Sequence, residues 1–534
     1  MKKPIRVLIL TDGIVVKKWV ADIVKFVNDS SSFEIVGTIV NESKNKSESS
    51  ILYRSLRYVD RKLFASSNNP FQNIQLELDA NFIYYTKPKQ KQYSDWLDED
   101  CINHVKFLEP DLILRFGFRI LRGSFLNIPK LGVWSLHHGD NKVNRGGPPA
   151  FWEVVLKEPV SGVTLQKINE DLDGGEVIGK AFTKTDSLSY YRNQVQVYEL
   201  GVQLFKEKLS QLITNSLKTE KPVFNFYDYP LYKNPSNQAT LKIFIIYSFR
   251  ILKKAYQDFR YEQQWIIKHS KKNNSETSLY RFIDLIPSKG NNWADPFPIF
   301  DSNTLYLFAE QIGKDRKGKI VCFEFDSKSN SFCDPKVVLE EEYHLSYPYV
   351  FKYDGGWLMI PESGDSNKLK IYKSTEFPFQ WKEEKIIFND KKLFDVTPFE
   401  YNSKWYSFAS ERISNGISPN DYLLLFELPE GPIGAWKLHP SSPIKLDVRG
   451  GRCAGKIVEK DGKYYRVAQL GTPKYGYAIQ FYEILKLDAF SYDEILVDTI
   501  YPYWDSTSLA IHTFNTVNGW HFVDCQRQIK KKFI

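Results

Sequence analysis

One pattern returns five times in the second half of the chain and limits what that half can fold into. It is a short alternating apolar run: Leu305-Tyr306-Leu307-Phe308-Ala309-Glu310, Trp357-Leu358-Met359-Ile360-Pro361-Glu362, Trp405-Tyr406-Ser407-Phe408-Ala409-Ser410, Tyr464-Tyr465-Arg466-Val467-Ala468-Gln469 and Trp520-His521-Phe522-Val523-Asp524-Cys525. Each follows a strand-like run and a tight turn. Pro296–Phe300 leads into Asp301-Ser302-Asn303, and Tyr347–Tyr353 into Asp354-Gly355-Gly356. Pro398–Tyr401 leads into Asn402-Ser403, Gly455–Glu459 into Asp461-Gly462, and Thr513–Val517 into Asn518-Gly519. Asn, Asp and Gly at such positions accept the left-handed backbone that short hairpin turns demand. A hairpin recurring about every 50 residues is the mark of a radial repeat, so residues 276–534 are expected to form an all-β five-bladed propeller. A pair of irregular sandwiches is the competing arrangement. Aromatic residues, which favour strands, make up 15% of the chain and are densest in this half.

Residues 1–215 read differently. Arg6–Leu10, Phe33–Val40, Phe82–Tyr85 and Leu112–Phe116 are strand-like, whereas Val15–Asn28, Tyr93–Leu108 and Val195–Leu212 have helical spacing. Strands alternating with helices predict an α/β domain with a mostly parallel sheet. The polar stretch Asn41–Asn73 reads as an excursion or loop. Residues 216–275 read as a linker carrying one amphipathic helix, Thr240–Phe259, with Leu241, Phe244, Ile245, Phe249, Leu252 and Tyr256 near one stripe and Lys242, Arg250, Lys253 and Lys254 beside them. Its apolar core is too short to span a bilayer. It is either docked on a domain or laid on an anionic membrane surface.

Charge and cysteines narrow the setting. A net charge of +8 over 534 residues, with no long Lys/Arg block, gives no reason to expect a nucleic-acid partner. Cys101, Cys322, Cys333, Cys453 and Cys525 are odd in number and contain no CxxC pair, which predicts a reducing, cytoplasmic setting without a disulfide framework. The first residues, through Leu10, break into Thr11-Asp12-Gly13 and read as a buried strand, not a leader.

The densest chemical signal is Gly132-Val133-Trp134-Ser135-Leu136-His137-His138-Gly139-Asp140, followed by Asn144-Arg145-Gly146-Gly147-Pro148-Pro149, then Ser161-Gly162-Val163-Thr164-Leu165 and Asp171-Leu172-Asp173-Gly174-Gly175-Glu176-Val177-Ile178. A histidine ending a strand and an aspartate in a later tight loop can form an acid–base pair in which the carboxylate fixes the imidazole tautomer. By the residues alone, a structural histidine and a plain turn are the commoner readings.

At these residues the chain resembles the folate-dependent formyltransferases: methionyl-tRNA formyltransferase, glycinamide ribonucleotide formyltransferase and the sugar N-formyltransferases. His137 matches the family histidine, Arg145-Gly146 the Arg-Gly pair, Gly162-Val163-Thr164 the following strand and Asp173-x-Gly175 the aspartate loop. Pro110-Asp111-Leu112-Ile113-Leu114-Arg115-Phe116-Gly117-Phe118 is similar to the segment lining the pterin pocket. The resemblance implies a Rossmann-like formyltransferase domain that uses N10-formyltetrahydrofolate as co-substrate and needs no metal. It implies His137, Asp173 and Ser135 as catalytic residues; Phe116, Gly117, Phe118, Asp171 and Leu172 at the folate; and Arg145 and Gly146 at the substrate. Ser135 stands where the family has an asparagine that donates to the developing oxyanion, and the family's Ser-Leu-Leu-Pro is replaced by Gly139-Asp140-Asn141-Lys142.

In the repeat region, Asp295, Glu310, Glu362 and Asp395 recur at strand positions expected to face a central channel. Paired carboxylates there would suit a glycosidase. The region also resembles the N-terminal propeller of plant glucosamine inositolphosphorylceramide transferase through Ala294-Asp295-Pro296-Phe297, Glu310, Glu362, Arg452-Cys453-Ala454-Gly455 and Arg466-Val467-Ala468-Gln469. Asp295, Glu310 and Glu362 are then expected at a bound glycan, with Asp295 or Glu310 neutralised by Arg452 or Arg466. The combined expectation is formyl transfer to the amine of a nucleotide- or lipid-linked amino sugar. The setting would be the cytoplasm or the inner face of a membrane contacted through 240–259. The alternative is a glycoside hydrolase or a glycan-binding scaffold with a vestigial first domain.

Overall fold

A computed structural model describes residues 3–43, 49–65, 69–77, 82–91, 93–170, 175–217, 219, 226–271 and 278–531. The chain divides into two compact units, Met1–Ile251 and Leu252–Ile534.

The first unit is built on a seven-stranded sheet of β1 (Ile5–Thr11), β2 (Phe33–Asn41), β3 (Ile83–Thr86), β4 (Leu112–Arg115), β5 (Val133–His137), β6 (Val160–Lys167) and β7 (Glu176–Lys184), in the order β7-β6-β5-β4-β1-β2-β3. The strands from β5 to β3 run parallel, and β6 alone is reversed, pairing antiparallel with both β5 and β7. Val7, Leu8, Ile9 and Leu10 are all fully buried, as a central strand covered on both faces requires. Helix α1 (Lys18–Asn28) is preceded by a separate short strand, Val15–Lys17, so the helical run expected from Val15 begins three residues later. Helix α2 (Ile51–Phe64) occupies the stretch expected as loop, and its N-cap Ser50 accepts from the Tyr53 amide. Helix α3 (Glu99–Leu108) starts where Asp98 caps the Cys101 amide, with Glu99 and Asp100 facing the positive end of the dipole. A short helix α4 (Trp152–Leu156) precedes the long α5 (Tyr190–Ile213), which Ser189 caps. Helix α6 (Asn237–Arg260) covers the amphipathic run expected over 240–259, and none of the described helices is long and apolar enough to cross a membrane.

The second unit holds five separate antiparallel sheets of four or five strands among the described residues, and no closed barrel. The recurring runs are the second strands of four of them, Thr304–Ile312, Gly356–Glu362, Lys404–Glu411 and Lys463–Leu470, and the closing strand Trp520–Lys530 of the fifth. That closing strand pairs over its whole length with Tyr261–Lys271, so the first and last strands of the unit share one sheet. The linker expected over 216–275 is therefore shorter, because Tyr261–Lys271 already belongs to the second unit. Only Val458–Lys460 of the strand expected at Gly455–Glu459 is formed; the first strand of that sheet is Arg449–Cys453. Three sheets open with a bulge at the same place, where two residues oppose one, at Ala294/Phe297, Ser346/Tyr349 and Phe394/Thr397. Asp295, Tyr347 and Asp395 take positive φ there. Such bulges re-aim side chains, and here they turn Asp295 and Asp395 into one buried cluster.

Candidate functional site

The first site grows from the carboxyl end of β5. Ser135 and His137, two residues apart, share a face of the strand. The Arg115 guanidinium at the end of β4 donates from Nη1 to Ser135 Oγ at 2.9 Å and from Nη2 to the carbonyls of Phe118 at 2.8 Å and Arg119 at 2.7 Å. A cation thus holds the serine hydroxyl as an acceptor and leaves its own proton to donate elsewhere. His137 Nε2 lies 2.6 Å from the Asn144 carbonyl oxygen. A carbonyl only accepts, so Nε2 carries the hydrogen and Nδ1 is the basic nitrogen of the neutral ring. Asn144 in turn donates to the buried Glu153 at 3.0 Å. Burial pushes the Glu153 carboxyl up, with the Asn144 bond and the nearby imidazole opposing. Asn144 heads the Asn144–Pro149 stretch without a role of its own there, and Glu153 lies outside it; only the fold brings both to the histidine.

The surrounding expectations divide. The Phe118 amide donates to Asp12 at 2.7 Å, and its ring packs in the core with Leu8, Leu10 and Phe125 instead of lining a pocket. Gly117 has no room for a side chain, since a Cβ would lie 2.5 Å from the Asp12 nitrogen. Phe116 stays near the site, edge-on to Trp19 at 5.8 Å. Gly146, expected at the substrate, has φ +96 and lies against the backbone of Tyr232, whose oxygen would be 2.3 Å from a Cβ. Arg145 Nε donates to the Asn141 carbonyl, its guanidinium stacks over Tyr227 at 4.6 Å, and its Nη2 is buried with no hydrogen-bond partner among the described residues. Asp171, Leu172 and Asp173 lie outside the described residues. His138 is an aromatic wall: it stacks on Tyr198 at 3.6 Å and meets Trp19 edge-on, and burial drives its pKa down to about 3.

The second unit gathers Asp295, Glu310, Glu362 and Asp395 into one buried polar cluster. Each carboxyl has a cation or a full set of donors. Arg452 grips Asp395 with Nε–Oδ2 at 2.5 Å and Nη2–Oδ1 at 3.0 Å, and Gln469 adds a third bond. Burial still raises Asp395 to about 6, against the guanidinium. Glu310 pairs with His344 Nε2 at 2.9 Å; burial lifts the carboxyl to about 7, and the same hydrogen bond lifts the imidazole to about 9. Asp295 accepts from Thr513 Oγ1 at 2.6 Å and from the Tyr347 amide at 3.1 Å, with His512 Nε2 at 3.4 Å. Glu362 accepts from Ser346 Oγ and the Gly364 amide. The arginine expected at Asp295 or Glu310 is instead at Asp395, and Arg466 pairs with Glu494 at 2.6 and 2.8 Å.

His512 and Asp524, unremarked in the sequence, complete the cluster. Among the described residues Asp295, His512 and Asp524 form the one group that brings three ligand-type atoms within 4.8 Å of one another. Its lone pairs are already engaged: Asp524 accepts the amides of His512, Thr513 and Asp295 and lies 2.8 Å from His512 Nδ1. Burial opposes charge on His512, but Asp524 and Asp295 carry it up to about 9, so the bridging group is an imidazolium. The Arg452 guanidinium lies over the ring of Tyr475, 39% exposed, at 5.3 Å, and Tyr475 and Trp265 both pack against the His512 imidazole, at 5.4 and 4.3 Å.

Comparison with known proteins follows the same division. Residues 283–534 match the family model of the N-terminal region of glucosamine inositolphosphorylceramide transferase 1. The transferase of that name from Oryza sativa subsp. japonica is 33% identical over 239 residues, 44% of this chain and 31% of the relative. Methionyl-tRNA formyltransferase of Clostridioides difficile (strain 630) is 29% identical over 137 residues, 25% of this chain and 42% of the relative. The chain thus spans well under half the length of these curated relatives. Among solved structures, a sugar N-formyltransferase from Shewanella sp. superposes with a TM-score of 0.28 at 18% identity, covering 42% of this chain and 76% of the other. The β-xylosidase RS223 superposes with a TM-score of 0.35 at 14% identity, covering 46% and 94%. The chain joins a formyltransferase-like first unit to a second unit similar to the N-terminal region of glucosamine inositolphosphorylceramide transferase 1.

Proposed function

We propose that the first unit transfers a formyl group to the amine of an amino sugar and that the second unit is a five-bladed propeller that binds glycan. The observation that carries the first part is the shared face of Ser135 and His137, with Arg115 on the serine and Asn144 on the histidine. The donor set of imidazole, hydroxyl and guanidinium fits a folate-borne formyl group, whose oxygen gathers negative charge as an amine attacks. N10-formyltetrahydrofolate would supply that group and leave as tetrahydrofolate. His137 Nδ1 takes the proton that the attacking amine loses and passes it to N10 as tetrahydrofolate leaves, and Asn144, tied to Glu153, keeps the ring in that tautomer. Ser135 donates its hydroxyl proton toward the oxyanion, and Arg115 fixes the hydroxyl and adds positive charge. Asp173 is proposed to orient His137, as the resemblance implies, by accepting from Nδ1–H once that nitrogen has taken the proton.

Recognition in the second unit is supported by the state of its carboxyls. A glycosidase needs one carboxyl placed to protonate a leaving group and another free to attack or activate water. Here Asp395 is held by Arg452, Glu310 by His344, and Asp295 by Thr513 and Tyr347. Tyr475 and Trp265 beside them suit the apolar faces of a sugar ring. Membrane contact through α6 is supported by its outward Leu241, Phe244, Ile245 and Phe249, each more than half exposed, beside the exposed Lys242, while Ile243 and Tyr247 dock inward. The test is tetrahydrofolate release from N10-formyltetrahydrofolate with a panel of nucleotide-linked amino sugars. Release that requires the free amine supports the reading, and the same release with N-acetylated sugars contradicts it.

A further inference from the structure

Helix α2 has three distinct faces. Tyr53 and Asp60, seven residues apart, point inward, and Asp60 Oδ2 accepts the Tyr191 amide at the start of α5 at 2.6 Å. That buried bond fixes the rotation of α2 against α5. Leu52, Leu56 and Val59 form one flank, and with Leu241 and Phe244 of α6 they line an apolar groove. Arg54, Arg57 and Arg61, at spacings of three and four, form the other flank and line a cavity of about 470 Å³. Lys17 adds a fourth cation to its wall, and Trp19, Phe71 and Tyr198 supply aromatic surface. Arg57 lies over the rings of Tyr53 and Tyr190, and Arg61 over that of Tyr191. No carboxylate pairs with Arg54, Arg57 or Arg61 among the described residues.

The cavity also adjoins the chemistry. Trp19 and Tyr198 both contact the His138 ring, which follows His137 in the chain, and Trp19 also meets Phe116. Four exposed cations lining one concave, aromatic-walled space, with no acidic side chain in its lining, suit an anion that carries more than one charge. Guanidinium forks pair with phosphate oxygens in bidentate fashion, and three of them exceed what a single carboxylate can satisfy.

We infer that this cavity binds a diphosphate, the group that joins an amino sugar to its carrier. As far as it names the acceptor, this rests on the proposed formyl transfer; the binding of a diphosphate does not. A nucleoside diphosphate and a polyprenyl diphosphate share this chemistry. The aromatic walls suit the first, and the apolar groove on the other flank of α2 suits the second.

Calorimetry with inorganic pyrophosphate, uridine diphosphate and farnesyl diphosphate tests the inference on the full chain. Each guanidinium contact is worth roughly tenfold in affinity, so the Arg54→Gln/Arg61→Gln double variant is expected to bind about 100-fold more weakly. The Arg54→Lys/Arg61→Lys variant, which keeps the charge, is expected to fall between the two, and His137→Ala to bind as wild type does. The organic diphosphate that binds more tightly than pyrophosphate identifies the carrier. Failure of all three ligands to bind at millimolar concentration overturns the inference, as does equal binding by the glutamine variant. Diphosphate binding without formyl transfer to any amino sugar leaves the cavity standing and removes the proposed reaction. Formyl transfer with Kd and KM unmoved by the glutamine variant does the reverse.

Discussion

Replacing Arg452 by methionine tests whether the polar cluster of the second unit is held by its ion pairs. The side chain of Arg452 is 10% exposed and that of Asp395 is 3% exposed, and two short hydrogen bonds join them. Arg452→Met keeps most of the volume but leaves the Asp395 carboxylate buried, with Gln469 as its remaining side-chain donor. Breaking such a pair from one side costs about 3–5 kcal/mol, because the surviving charge has lost both water and partner. For a unit of this size that corresponds to a fall of roughly 6–20 °C in Tm, measured by calorimetry on the full chain. Asp395 is already raised to about 6 with its arginine present, against 3.8 for an ordinary aspartate. Without the arginine it rises further, and the unfolded carboxyl does not follow. The penalty should therefore shrink as pH falls from 8 to 5 and the buried carboxyl takes a proton. Arg452→Met/Asp395→Asn should recover most of the loss at every pH. A fall of less than about 1 kcal/mol in the single variant, or a penalty that grows toward pH 5, refutes the reasoning.

His512, raised to about 9 from 6.5, contributes stability that is complete below pH 6.5 and lost as pH rises through 9, worth roughly 3 kcal/mol. The wild-type Tm should fall between pH 7 and 10, and His512→Gln should show a flatter profile over that range. His138, lowered to about 3, acts in the opposite direction: stability falls as pH drops below 6.5, by up to about 1.4 kcal/mol per pH unit. His138→Phe, which preserves the stack on Tyr198, should be less acid-sensitive in a thermal melt. Ser135→Ala should lower turnover about tenfold or more; an unchanged rate in steady-state assays removes Ser135 from the chemistry.

The sequence showed best what depends on local pattern. Val7–Leu10 is apolar throughout because a central parallel strand is covered on both faces, and the five hairpins carry their turns in their own residues. What it hid depends on partners distant in the chain. Tyr261–Lys271 has no strong alternation of its own and becomes a strand by pairing with Trp520–Lys530, some 260 residues later. Helix α2 was masked because its inward face holds only Tyr53 and Asp60, while its apolar flank of Leu52, Leu56 and Val59 is not buried. Of the candidate site, Ser135 and His137 could be read from one motif. Their supports Arg115, Asn144 and Glu153 could not, since each reaches them across a strand pair or loop. The same holds for His512 and Asp524, and for the choice of Asp395 as the arginine's partner: alternation shows which residues face inward, not which of them meet.

Formyl transfer by the first unit depends most directly on His137. Wild-type protein and His137→Ala, matched by thermal melt and by calorimetric binding of a folate, would be compared for tetrahydrofolate release with N10-formyltetrahydrofolate and the best amino-sugar acceptor. Steady release is expected from the wild type and a loss of at least about 100-fold in the variant, the scale of a general base, with folate binding intact. Turnover by His137→Ala near that of the wild type would contradict that dependence.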